Sequence, residues 1–378
     1  MASGLQLLSN IRQIGRLELS LQEVEVPSPG AGQVLVRMEA SPINPSDMWP
    51  LFGPADLSKA ELEFSDERKV LSAPIRESMI GMMKSRFDQA LPVGNEGAGT
   101  VVEAGEGAEH LMGKTVGLSS GNTYAQYCCI PAQACLPLHD GTSAKEGASS
   151  FVNPLTALAM VETMRLEGHT ALVHTAAASN LGQMLNKICI ADDVQLVNIV
   201  RSAEQVKILE DLGAKHIVDS SSDSYYQDLL AAIDDTGATL AFDAIGGGKT
   251  ASDILAAMER VLSKNAVGLN TYGSEQLKQV YLYGGLDLSP TTLHRSYGMC
   301  WAVGGFLLPH FLKRVGHEKA GQLQKRVADE IKSTFASTFT QELTFEEAMT
   351  PSNIAKYVAK KTGEKYLISP SSGLLESK

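Results

Sequence analysis

The residues of this chain best suited to holding a phosphorylated ligand lie between His169 and Asp219. The apolar run Ala171–His174 leads into Ala176, Ala177, Ala178, Ser179 and Gly182, all of them small. Leu181, Met184, Leu185 and Ile188 then recur at helical spacing, and Leu196–Val200 is a second apolar, β-branched run. A pyrophosphate suits a turn of this kind, because the first N–H groups of a helix lack partners and the helix dipole favours an anion. Small side chains let the backbone approach the phosphate closely. The full G-x-G-x-x-G pattern is absent, with Ala177 or Ala178 and Asn180 in glycine positions. In isolation the turn reads equally well as an ordinary small-residue turn of an α/β protein.

The next candidate stands at the end of the second run, Asn198-Ile199-Val200-Arg201-Ser202. NAD-binding folds place an acid here to hold the ribose hydroxyls, but no acid occurs before Glu204. A guanidinium beside a hydroxyl suits a 2′-phosphate instead, through forked, charge-assisted bonds. The cofactor expected is therefore NADPH, with Arg201 and Ser202 at its adenosine end. The plainer alternative is a solvated Arg201 opening the next helix.

These groups need a scaffold, and the chain supplies one. Strand, tight turn, helix and strand from Ala171 to Val200 form the βαβ unit of a dinucleotide fold. A helix opens near Phe151, with Pro154 in its first turn. Ala238–Ala244 reads as a buried strand ending in Ile245-Gly246-Gly247-Gly248, followed by a helix at Thr250–Leu262. A strand at Ala266–Leu269 is expected to lead into Tyr272-Gly273. Alternation of strand and helix implies a doubly wound parallel sheet, whose ligand crevice lies beyond the strand carboxyl ends. Ser179–Gly182, Arg201, Ile245–Gly248 and Tyr272-Gly273 are all expected on that edge.

The first 150 residues read differently. Leu17, Leu19 and Leu21 alternate, Gln33–Ala40 is a strand, and Ser41–Asp47 is a proline-stiffened loop bearing polar groups. Leu91–Gly105 is glycine-dense and then β-rich, and Lys114–Leu118 and Tyr124–Ile130 are further short strands. Between 54 and 90, Ile75, Met79, Met83 and Phe87 recur every four residues. That spacing predicts one amphipathic helix, whose methionines pack in the core or cover a substrate site. The tail is expected to hold a helix over Ala320–Ala336, a short one at Phe345–Ala348 and a strand at Tyr366–Ile368.

Composition narrows the class. A chain of 378 residues with 44% hydrophobic and 20% charged residues can bury two substantial cores, which argues against disorder. A net charge of −11 argues against nucleic acid or an anionic membrane as partner. Cys128, Cys129, Cys135, Cys189 and Cys300 form no C-x-x-C pair, as expected of free thiols in a reducing compartment. No signal-peptide pattern or apolar span of membrane length is apparent, so a cytoplasmic protein acting on a small molecule is expected.

Seven segments in order, VPSPGAGQVLVRMEASPINPSD, LPVGNEGAGTVVEAG, FVNPLTAL, the phosphate turn, NIVRS, FDAIGG and GEKYLISP, resemble the medium-chain dehydrogenase/reductase superfamily. The likeness covers nearly the whole chain apart from the insertion at about 54–90. Within the superfamily it is similar to the zinc-free quinone oxidoreductases and enoyl thioester reductases. The resemblance implies an α/β fold of two parts: a Rossmann-type NADPH-binding domain at 151–305, and a β-rich GroES-like catalytic domain at 1–150 and 306–378. It also implies a homodimer.

Carried across by position, the resemblance places Asn44 and Asp47 at the nicotinamide or substrate cleft. It sets Asn153 and Thr156 against the cofactor and Asn180, Leu181 and Gly182 at the pyrophosphate, where the small-residue turn already offers Ala178 and Ser179. Tyr272, Gly273, Phe306 and Lys365 match further cofactor-contacting positions, joining Ile245 and Gly246 of the expected crevice. Zinc-dependent relatives carry Cys where Asn44 stands, His where Asn95 stands and a second Cys near Asn153. Asparagine is a poor zinc ligand, so no metal is expected. The tyrosine acid of enoyl thioester reductases is missing, since the corresponding stretch reads Leu51-Phe52-Gly53-Pro54-Ala55. A proton would have to come from Tyr124, Tyr127, Asp47 or solvent. The expected activity is reduction of a quinone or activated enone. The alternatives are an enoyl thioester reductase, or a non-catalytic NADPH-binding sensor or structural protein.

Overall fold

The computed structural model describes residues 3–65, 68–264, 267–268 and 270–372. Its strands before residue 152 are β1 (Ser3–Arg12), β2 (Arg16–Glu25), β3 (Gln33–Ile43), β4 (Glu61–Phe64), β5 (Lys69–Pro74), β6 (Leu91–Pro92), β7 (Glu96–Ala104), β8 (Thr115–Ser119), β9 (Tyr127–Pro131) and β10 (Cys135–Pro137). The middle of the chain carries β11 (Ala171–Thr175), β12 (Gln195–Val200), β13 (His216–Asp219), β14 (Leu240–Asp243), β15 (Lys278–Leu282) and β16 (Trp301–Gly305). The tail adds β17 (Gln341–Leu343) and β18 (Tyr366–Ile368). Two units result, Met1–Val152 with Gln324–Lys378, and Asn153–Leu323. The second junction thus falls inside the helix Leu308–Asp329, which is broken at Gly316, rather than at residue 306.

The first unit holds two sheets. β1 and β2 pair antiparallel over their full length, Ser3↔Glu25 to Arg12↔Arg16, and sit within the order β4-β5-β2-β1-β6. The other sheet runs β10-β8-β7-β3-β18-β17, with β9 also paired to β3. Alternation sends Leu17, Leu19 and Leu21 into a core with Leu7, Ile11 and Leu71, completed by Leu343, Ile354 and Ile368 from the tail. The glycines at the head of β7 answer to close strand approach: a Cβ on Gly99 would lie 2.0 Å from Arg37 O.

The insertion is not one helix. β4 and β5 form a hairpin added to β2 in the register Leu19↔Leu71. Only a short turn at Glu77–Ile80 and a 3₁₀ segment at Gly81–Arg86 follow. The four-residue spacing spans a strand end and two helical turns, so its periodicity has a composite origin. Ile75 and Met83 are buried, and Met79 and Phe87 pack against the same core, which makes the stripe core packing. β3 also continues through Pro42 to Ile43, while Tyr124 precedes β9 rather than belonging to it. The tail helix begins earlier than expected, at Leu308, and ends at Asp329.

The second unit is a six-stranded parallel sheet in the order β13-β12-β11-β14-β15-β16. Both faces are covered, so β11 and β14 are buried at every position. The strand expected at Ala266–Leu269 does not occupy the sheet: Val267 and Gly268 lie outside any strand, and Ala266 and Leu269 lie outside the described residues. The neighbour of β14 is β15, paired Leu240↔Gln279 through Asp243↔Leu282.

A buried ion pair anchors the start of β15. Lys278 Nζ, fully enclosed, meets Glu259 Oε2 at 2.7 Å. Ser263 Oγ and Ser274 N donate to Glu259 Oε1, and Ser274 Oγ to Oε2. Burial raises the Glu259 pKa, but these donors outweigh it and bring it down to about 2.

Candidate functional site

In the second unit, the turn after β11 has the features a phosphate needs. Ala176 has φ 51°, in the left-handed region, and Ser179 caps the helix Asn180–Ala191 by accepting from Gly182 N. A Cβ on Gly182 would lie 2.2 Å from Ala177 O. Gly182 is therefore the position of close helix–strand packing, while the N–H groups of Ala177 and Ser179 are bonded to Ile199 O and Ala176 O. Ala177 and Ala178 are buried, and Asn180 Oδ1 accepts from Asn153 Nδ2 at 2.9 Å. Thr156 is buried one helical turn after Asn153.

Arg201 stands exposed immediately after β12 and makes no ion pair among the described residues. Its N–H donates to Gln205 Oε1, and Ser202 caps the following helix through Gln205 N. The loop after β14 is fixed from below by Asp243. Its carboxylate accepts from Thr175 Oγ1 and from the N–H groups of Ile245 and Gly246.

Tyr272 and Gly273 are not on this edge. They precede β15, with Tyr272 O accepting from Met299 N and Gly273 seated against the Glu259 carboxylate. Both lie toward the amino ends of β15 and β16. The residues that follow β15 are Tyr283-Gly284-Gly285, and they pack on Ala244–Gly246: a Cβ on Gly284 would lie 2.6 Å from Ala244 O. Tyr283 Oη hydrogen-bonds His174 Nε2 at 2.7 Å, and the rings stack. Burial holds His174 down to a pKa of about 3, so it is neutral. Phe306 follows β16 and packs edge-on against Phe242 and Tyr281.

The first unit gathers a second polar cluster. Asp47 is fully buried and accepts from the N–H of Asn44 (2.8 Å) and of Asn95 (3.0 Å). Glu96, also fully buried, accepts Asn44 Nδ2 at Oε1 (2.8 Å) and the N–H groups of Phe151 and Val152 at Oε2. Lys365 Nζ donates to Ser149 Oγ at 2.6 Å. Burial pushes the Asp47 pKa up to about 7, the Glu96 charge adds to this, and the two N–H groups oppose it. Burial brings Lys365 down to about 8, against the pull of Glu96 and Asp47. Tyr124 is fully buried and donates to Pro42 O at 3.0 Å. Its hydroxyl braces the loop that carries Asn44 and Asp47.

Asn44 is 2% exposed, and its Oδ1 has no hydrogen-bond partner. The Asp47 N–H that a capping side chain would use goes to Asn44 O instead, at 3.0 Å. Leaving a buried acceptor unmade costs about 1–3 kcal/mol. Glu96 escaped the sequence reading altogether; its place between Asn95 and Gly97 was the available signal.

No family model matches the sequence. The mitochondrial enoyl-[acyl-carrier-protein] reductase of Caenorhabditis elegans is 28% identical over 251 residues, 64% of each chain. The match therefore spans just under two-thirds of that relative's length. The crystal structure of a candidate NADPH:quinone reductase from Mesorhizobium loti matches at 25% identity with a TM-score of 0.71, over 98% of this chain and 99% of its own. Etr1p, solved with NADP and crotonyl-CoA, shares the fold at 20% identity and a TM-score of 0.65, over 98% of this chain and all of its own.

The relatives and structural neighbours that the chain matches are reductases of the medium-chain dehydrogenase/reductase family. Asn44 and Asn95, where the resemblance expects a metal-dependent enzyme to carry its ligands, are engaged in hydrogen bonds. Asn44 spends its amide N–H on Glu96, and Asn95 donates its own to Ser46 Oγ. Among the described residues, no three His, Cys, Asp or Glu side chains come together as a metal site.

Proposed function

We propose that this chain is an NADPH-dependent, zinc-independent reductase that passes a hydride to a quinone or an activated enone. The observation that carries the cofactor assignment is the unpaired guanidinium of Arg201, held at the end of β12 beside the small-residue turn after β11. Ser179 and the N–H groups of the turn would hold the pyrophosphate, and Arg201 with Ser202 the 2′-phosphate. When bound, the dinucleotide supplies the hydride. Tyr283-Gly284-Gly285 takes the place proposed for Tyr272-Gly273, because it follows β15 on the edge shared with Ile245 and Gly246.

Tyr124 is fully buried and donates to Pro42 O, and Asp47 is fully buried against two N–H groups, so neither is placed at a surface where a substrate could take its proton. That favours an acceptor needing little acid assistance, with the proton drawn from solvent. The neighbours solved as enoyl reductases favour the second reading, reduction of an enoyl thioester. A homodimer is proposed through β16, the sheet's edge strand, whose side chains are half-buried.

Replacing Arg201 with Ala is expected to raise the KM for NADPH at least tenfold and leave that for NADH within about twofold. Equal changes would remove the 2′-phosphate assignment. NADPH oxidation by naphthoquinone but not by crotonyl thioester supports the first acceptor class, and the reverse pattern supports the second. Tight NADPH binding without turnover on either would indicate a non-catalytic sensor or structural protein.

A further inference from the structure

His174 stands on β11 just before Thr175 and Ala176, where the turn proposed for the pyrophosphate begins. Its ring is fully enclosed, Nδ1 has no partner, and Nε2 makes one hydrogen bond, to Tyr283 Oη at 2.7 Å. An unmet polar atom inside a sheet costs stability that an apolar side chain would not. What explains a histidine here is therefore the bond it makes, and that bond is not local. His174, Phe242 and Tyr281 stand in register on β11, β14 and β15, so they share one face of the sheet. Tyr283, just beyond Tyr281 on the same face, reaches past β14 to stack on the His174 ring, with 5.7 Å between centroids. On the opposite face Thr175 ties β11 to β14: its Oγ1 donates to Asp243 Oδ1 and receives the N–H of Ala244.

A sheet of this order reverses direction between β11 and β14. A dinucleotide crosses at such a point, one half against each set of strands. The phosphate turn and Arg201 belong to the β11–β13 half, which leaves β14–β16 for the nicotinamide half. The His174–Tyr283 bond joins the two. We infer that His174 is a positioning residue for the nicotinamide half of the cofactor, because through Tyr283 it fixes Gly284 and Gly285 relative to the phosphate turn. The inference rests on the NADPH reading above and deepens it. Burial keeps the His174 ring neutral, so the pair acts by geometry and brings no charge to the crevice.

The test compares NADPH with 2′,5′-ADP, which keeps the 2′-phosphate and adenosine and lacks the nicotinamide half. Tyr283→Phe removes the hydroxyl and keeps the ring, His174→Leu removes the other partner, and the amide of His174→Gln reaches to where Nε2 stood. By calorimetry, Tyr283→Phe and His174→Leu are each expected to raise the Kd of NADPH about fivefold or more and to leave that of 2′,5′-ADP within about twofold. The double variant should bind NADPH no more weakly than either single one, since both break the same bond. His174→Gln should recover most of the loss. Equal weakening of both ligands would reduce the pair to a structural role and overturn the inference, as would an unchanged Kd for NADPH in Tyr283→Phe. That variant retains the ring packing, so it decides the matter even where His174→Leu does not fold. An unaltered protein that binds neither ligand would remove the NADPH reading itself. Binding of both, with a ratio that the variants leave unmoved, would reject the positioning role alone.

Discussion

Asp47 and Lys365 are both buried, and loss of water displaces each pKa toward its neutral form. Asp47 rises from 3.8 to about 7. Between those values the folded chain binds more protons than the unfolded one, so this group's contribution is complete below pH 4 and is lost as pH rises through 7. Lys365 falls from 10.5 to about 8. Its contribution is present above pH 10.5 and is lost as pH falls through 8. Urea melts of Asp47→Asn should therefore show a flatter decline in stability between pH 4 and 7 than the parent; an identical slope would mean that Asp47 is not the group responsible. Sequence reading reached Asn44, Asp47 and Lys365 but not Glu96. The partners of Glu96 lie 52 to 56 residues away, and local pattern carries no trace of such pairings.

The turn after β11 is where sequence and geometry agree most closely, because its logic is local. Small residues, a cap and a helix lie within seven positions, and the structure adds which of them needs which property. Gly182→Ala would drive a methyl into Ala177 O and is expected to cost about 1–3 kcal/mol. Ala176→Gly should be neutral to stabilising by up to about 1 kcal/mol, since φ 51° is easier without a Cβ. Chemical denaturation of the two variants checks both signs. The insertion misled for a reason of the same local kind: a four-residue spacing cannot distinguish a helix from a strand end joined to two turns. Leu71 in β5 is fully buried, so Leu71→Ala is expected to cost about 2–5 kcal/mol. A loss under 1 kcal/mol would show that the hairpin is dispensable.

Across the molecule, the alternation of strand and helix was legible from Ala171 to Leu262, and the parallel sheet follows from it. The fifth strand was not, because Lys278 and Gln279 disguise a buried strand as a polar one, and burial of a lysine is intelligible only once Glu259 is beside it. That one misplaced strand carried Tyr272 and Gly273 to the wrong edge. The residues proposed for the phosphates of NADPH lie on the second unit. Saturation a hundredfold above Kd should add about 2.7 kcal/mol to the transition of that unit, read by calorimetry as an upward shift of its melting temperature. No shift with either pyridine nucleotide would remove the cofactor assignment.

The enclosure of Lys278 also makes it a built-in witness of structural integrity. An amine-directed acylating reagent has no route to a side chain with no face to water. Mass spectrometry of partially labelled protein should find this lysine last to react. Its modification would time the opening of the sheet at β15, with no probe engineered into the chain.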